Sequence, residues 1–180
     1  VFGGSNTLGS TPTDNGVYVF TFSGPGFSSG TWSKLTIPPS PGPVPRRDHT
    51  MVKHGSGALL VYGGDFGGGS SSDTLWKLVV SGSTGTWSPI VTAGPSPGPR
   101  ANHAAVYDAT YGERLYIFGG EPAATVDKFT YVIEPLPATG TATWVRGAEA
   151  PNLLSGHTGA LDPGGVLHAH LPEIYNRGAN

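Results

Sequence analysis

The sequence predicts an all-β protein assembled from repeated four-stranded units, and three observations predict it. An apolar pair runs into a double glycine three times, at Val1-Phe2-Gly3-Gly4, Val61-Tyr62-Gly63-Gly64 and Ile117-Phe118-Gly119-Gly120. Thr-Trp pairs recur at Thr31-Trp32, Thr86-Trp87 and Thr143-Trp144, with Trp spacings of 55 and 57 residues. His49, His103 and His157 form a further column, spaced 54 and 54. Self-similarity at a fixed period marks a repeat architecture, in which each repeat is one small structural unit.

Within a unit the elements follow in a set order. The first strand opens at Arg46-x-x-His49 or Arg100-x-x-His103 and continues into an apolar run. The second is the run that ends in Gly-Gly. The third follows an aspartate: Asp14 before Val17-Tyr18-Val19-Phe20, Asp73 before Leu75-Trp76-Lys77-Leu78, and Asp127 before Phe129-Thr130-Tyr131-Val132. The fourth carries the Trp. These runs are rich in β-branched and aromatic residues and bounded by Gly, Pro, Ser and Asp, the pattern of short strands between turns. Pro38-Pro39-Ser40-Pro41-Gly42-Pro43 and Gly94-Pro95-Ser96-Pro97-Gly98-Pro99 can be neither helix nor central strand, so they link the units. No stretch keeps a helical period over three turns.

The Gly-Gly, the third-strand aromatic and the fourth-strand Trp, recurring in phase over nearly the whole chain, resemble the kelch family. The resemblance implies a β-propeller in which each unit forms one radial blade. It divides the chain into a partial first blade with linker (1–44), a second blade (45–98), a third (99–152) and a partial fourth (153–180), all one propeller domain. The fourth departs from the pattern, because no Gly-Gly follows Val166-Leu167-His168-Ala169-His170. Two whole and two partial blades fall short of the roughly four to eight that close a propeller. The expectation is a fragment of a longer propeller, or an open form able to self-associate through unpaired strand edges. The paired glycines are expected to let the Trp ring of the same blade approach the backbone.

Composition narrows the function. Charged residues make up 12 % of the chain and the net charge is -2, so no basic field attracts nucleic acid. No apolar run has the length of a membrane span. With no cysteine, disulfides, thiol nucleophiles and cysteine-based zinc sites are excluded. No Asn-x-Ser/Thr sequon occurs, no signal peptide is visible, and no compartment is assigned. Gly67-Gly68-Gly69 lacks the Lys-Ser/Thr and the helix of a phosphate loop.

In an up-and-down blade the inter-blade link and the turn after the second strand share one face. That face receives Arg46, Arg47, Asp48, Arg100, Ala101 and Asn102 from the links, and Asp65, Phe66, Glu121 and Pro122 from the Gly-Gly turns. It also carries the Gly67–Ser72 tract. Arginines, acids and an exposed aromatic together suit a protein or carbohydrate ligand. Arg46, Arg100 and the His column recur, and recurring residues tend to serve the blade. Arg47, Asp48, Asp65, Phe66, Asn102 and Glu121 are singular and are the better binding candidates. His168 and His170 lie outside the repeat, and i,i+2 spacing sets them on one strand face. With Glu173 they form a weaker metal candidate.

The expected function is a non-catalytic kelch-like interaction module without cofactor. The alternative is a fragment of a galactose-oxidase-like or other kelch-type metalloenzyme whose catalytic residues lie outside this segment. The copper-radical galactose oxidases need a cysteine bonded to a metal-ligating tyrosine, which this chain lacks.

Overall fold

The computed structural model describes residues 1–4, 12–39, 41–110, 112–121, 128–134, 141–150 and 155–170. Two complete β-propeller blades stand between two partial ones. In the first, Phe2 bridges Val17, and strand β1 (Tyr18–Ser23) pairs antiparallel with β2 (Ser29–Lys34). The second is a meander of β3 (Thr50–Lys53), β4 (Leu59–Tyr62), β5 (Leu75–Ser81) and β6 (Thr84–Ile90), hydrogen-bonded in that order. After the short β7 (Thr92–Ala93) comes the third meander. It consists of β8 (Ala104–Asp108), β9 (Arg114–Phe118), β10 (Phe129–Ile133) and β11 (Ala142–Glu149). The fourth blade contributes the hairpin of β12 (Thr158–Leu161) and β13 (Leu167–His170).

The links do more than connect. β7 runs parallel to β11, pairing Thr92 with Ala142 and Ala93 with Thr143. One blade earlier, Thr36 bridges Thr84 in parallel, donating to Ser83 O (2.9 Å) and accepting from Gly85 N (3.0 Å). The chain leaving one blade thus hydrogen-bonds to the fourth strand of the next. The sequence assigns no strand to these residues, because one or two residues carry no period.

The core lies between sheets. Successive side chains of a strand point to opposite faces. Leu60 and Tyr62 of β4 accordingly join Leu115, Ile117, Tyr131, Ile133 and Trp144 of the third blade, while Val61 between them joins Phe2, Val17, Leu78 and Trp87 on the other side. Trp144 is 1 % exposed and Trp87 4 %. Each meets the aromatic that precedes the Gly-Gly of the blade before it: Phe2 with Trp87 at 5.1 Å, Tyr62 with Trp144 at 5.5 Å between ring centroids. Burying side chains of this size contributes on the order of 3 kcal/mol each.

The paired glycines serve a different neighbour from the one the sequence suggested. A methyl on Gly63 would lie 2.5 Å from Arg100 O and 2.7 Å from the His103 ring, both in the next blade. A methyl on Gly64 would lie 2.8 Å from His49 Cβ. Both glycines hold positive φ, at 66° and 99°. Gly64 N donates to Arg100 O (2.8 Å), and Gly4 N donates to Arg46 O at the same distance. Gly63 thus leaves space for the next blade's His103 ring and Gly64 for the same blade's His49, and neither meets the same blade's Trp. Among the described residues no helix is long and apolar enough to cross a membrane.

Candidate functional site

The start of the first strand and the turn after the second are joined by backbone. Arg47 and Asp65 exchange two hydrogen bonds (2.9 and 2.8 Å). Ala101 and Glu121 form the equivalent bridge one blade later. Next to these bridges Asp48 and Asn102 adopt positive φ, 55° and 53°, and Gly156 takes φ 66° at the matching place in the fourth blade. Asn, Asp and Gly are the residues that tolerate this left-handed region. Asn102 N donates to Asp48 O and Gly156 N to Asn102 O, each at 2.9 Å, so a backbone ladder runs from blade to blade. Asp48 and Asn102 are therefore members of a repeat column, not the singular residues the sequence suggested. The column was hidden because three residue types fill one conformation.

Arg46 and Arg100 are 2 % and 0 % exposed. Arg46 donates to Gly63 O (2.8 Å) and Val44 O (3.1 Å), and its guanidinium lies 5.6 Å from the Phe66 ring. Arg100 donates to Gly119 O (2.6 Å) and to Pro97 O, beneath the Tyr131 ring. Each arginine ties its link to the Gly-Gly turn of its own blade. Burial lowers Arg46 to about 10, which still leaves it cationic at neutral pH. Both therefore sit in the blade as supports of the face, in line with their recurrence. Phe66, expected as an exposed aromatic, is half-buried against Arg46.

Arg47 remains closer to the surface and donates to Asp65 Oδ2 from Nε (3.0 Å) and Nη2 (2.7 Å), with Asp48 Oδ2 3.5 Å away. Asp65 Oδ1 accepts from Gly67 N (2.7 Å), which fixes the start of the glycine tract.

These supports shape a recess of about 340 Å³ lined by Asp48, Asp65, Gly69, Ser71, Ala101, Asn102 and Glu121. Loops of the second and third blades both contribute. Four of the eight sequence candidates, Asp48, Asp65, Asn102 and Glu121, meet there. Gly69, Ser71 and Ala101 were not singled out as binding residues, since nothing in a serine or a small residue marks it against a Gly/Ser background. Ser155, from the start of the fourth blade, donates to Glu121 Oε1 (2.6 Å) and steadies that carboxylate. Three carboxylates and one amide give the lining acceptors in excess of donors.

His168 and His170 share a face of β13, opposite Ala160 and Thr158. His168 Nε2 lies 3.1 Å from Asp162 Oδ2 at an exposed position. Glu173, like Pro122 and Asp127, lies outside the described residues. Among the described residues no three His, Cys, Asp or Glu side chains are grouped to hold a metal.

Comparison with known proteins agrees with this fold. The model of the KLHDC2/KLHL20/DRC7 Kelch-repeats domain matches residues 1–166. Acyl-CoA-binding domain-containing protein 4 of Arabidopsis thaliana is 35 % identical over 133 residues, which are 72 % of this chain and 18 % of that protein. Tip elongation aberrant protein 1 of Schizosaccharomyces pombe is 28 % identical over 102 residues, 56 % of this chain and 8 % of that protein. The chain thus spans less than a fifth of these curated relatives. The solved structure of YjhT superposes with a TM-score of 0.63 at 17 % identity, covering 90 % of this chain and 52 % of that one, which is a likeness of fold. Gly-Gly turns, interblade Trp packing and the family match together place this chain in the kelch-repeat β-propeller family.

Proposed function

We propose that this segment is a non-catalytic interaction module that presents the recess between its second and third blades to a protein partner. The observation that carries the reading is the convergence of Asp48, Asp65, Asn102 and Glu121 from two blades on one cavity, over a backbone held by buried arginines. Acceptors set on a rigid support favour a partner segment that supplies donors, such as a lysine or arginine side chain. Among the described residues the lining contains no aromatic ring. That favours a peptide over a carbohydrate, whose apolar ring faces pack best against flat side chains.

A peptide array of basic, neutral and acidic decamers, with a glycan array beside it, tests this. The expected result is retention of basic peptides, weakened at least tenfold in Asp48→Lys with Glu121→Lys and unaffected by Lys53→Glu on the opposite turns. Equal retention by the doubly reversed protein, or retention of glycans alone, would overturn it.

A further inference from the structure

We propose that the histidine column is an acid-sensitive latch between blades, closed while its imidazoles are neutral and opened when they take up protons. The geometry places one histidine at each of three blade interfaces. His49 meets Phe2 of the first blade at 5.2 Å, His103 meets Tyr62 of the second at 5.5 Å, and His157 meets Phe118 of the third at 5.0 Å. Each histidine therefore packs on the aromatic beside the preceding blade's Gly-Gly. His103 and His157 are both 5 % exposed. His103 Nε2 shares a hydrogen bond of 2.8 Å with Thr50 Oγ1 across the interface, whereas the Nδ1 atoms of His49 and His103 are buried without a hydrogen-bond partner. A neutral imidazole tolerates a bare Nδ1 as an idle acceptor. A protonated one would bury an N–H and a charge with nothing to receive them.

The surroundings add repulsion. Arg46 acts on His49, while Arg100, His49 and His157 all act on His103, each in the direction that disfavours a proton. Tyr62 faces His103 as a neutral phenol, burial having raised its hydroxyl far above the ordinary value. Burial first, then these neighbouring groups, the Arg46 and Arg100 guanidiniums foremost, holds His49 at about 4 and His103 at about 3; burial lowers His157 as well, opposed by the Phe118 backbone. The opened or unfolded chain returns them to about 6.5. Between pH 6.5 and 4 the open state binds more protons than the closed one. Interface stability is therefore fully present above 6.5 and falls as the pH falls through that window.

The test is the urea unfolding equilibrium of the wild-type chain, His49→Gln and His103→Gln between pH 7.5 and 5.0. Each histidine that titrates only on opening raises the unfolding constant up to about tenfold per pH unit below 6.5. Each glutamine variant is expected to lose about one such tenfold step per unit from its pH slope, whatever its stability at pH 7.5. A slope equal to wild type in both variants would overturn the latch. Two readouts on the wild-type chain need no variant. In NMR titration the His49 and His103 ring protons should keep neutral shifts to pH 5 in the folded protein, and titration near 6.5 with the fold intact would defeat the idea. In hydrogen exchange on acidification, the Gly64 and Asn102 amides, which cross interfaces, should lose protection before the amides between β4 and β5. Simultaneous loss throughout the chain would replace the latch by global acid unfolding.

Discussion

Trp144 and Trp32 hold the same place in the repeat, yet Trp144 is 1 % exposed and Trp32 56 %. Trp144 lies against Tyr62 of the preceding blade. Trp32 has Phe20 of its own sheet beside it, at 5.1 Å, and the far side of its ring is uncovered among the described residues. The glycines repeat the contrast. A methyl on Gly120 would meet Ala101 O at 2.6 Å and His103 Cβ at 2.8 Å, while one on Gly4 would meet nothing within 4 Å. A repeat column therefore fixes a residue's conformation, but its burial comes from the strands around it, the preceding blade for Trp144 and the first strand of its own blade for Gly120.

The largest expected effect separates the two tryptophans. Trp144→Ala should destabilise the chain by about 3–5 kcal/mol in urea unfolding, and Trp32→Ala by about 1 kcal/mol or less, the worth of one exposed ring pair. Equal losses would break the comparison. Next come the glycines. Gly120→Ala combines a left-handed backbone with overpacking and should cost about 3 kcal/mol, against about 1–2 kcal/mol for Gly4→Ala, where only the backbone objects. The arginines sharpen the distinction between support and surface. Arg100→Met leaves two buried carbonyls without their donor and should cost about 2 kcal/mol. Arg47→Met breaks a pair nearer the solvent and should cost about 0.5–1 kcal/mol. The smallest effect is that of Asn102→Gly in the positive-φ column, which should change stability by less than about 0.5 kcal/mol, whereas Asn102→Val at the same place should cost about 1–2 kcal/mol. Thermal melts at constant pH would rank all of them.

The blade order was legible because strands, Gly-Gly turns and Trp recur in register, and the structure has two complete and two partial kelch-type blades as expected. What the glycines make room for was not legible. The sequence shows that a large group must come close, but the same blade's Trp87 was the wrong guess for Gly63; the His103 ring lies 40 residues away in the next unit. The site was legible in part. Asp48, Asp65, Asn102 and Glu121 could be placed on one face from strand count alone, and the structure brings them to one recess. Arg46 and Arg100 share that end of the strands but turn inward, because the Gly63 and Gly119 carbonyls are waiting for donors. Strand direction predicts which end a residue occupies; only the backbone acceptors nearby decide whether a long side chain leaves or enters.

The parallel pairing of Thr36 with Thr84, and of Thr92–Ala93 with Ala142–Thr143, has a mechanical consequence. Each whole blade is gripped twice by its predecessor: at the start of its first strand, by Gly4 N to Arg46 O for the second blade and by Asn102 N to Asp48 O for the third, and at its fourth strand by the departing chain. Two grips at opposite edges of a sheet resist rotation as well as separation. Cutting the backbone at Gly42, between the grips of the first pair, would therefore leave the second blade seated, and force applied along the chain would shear the β7–β11 hydrogen bonds before peeling the sheet itself.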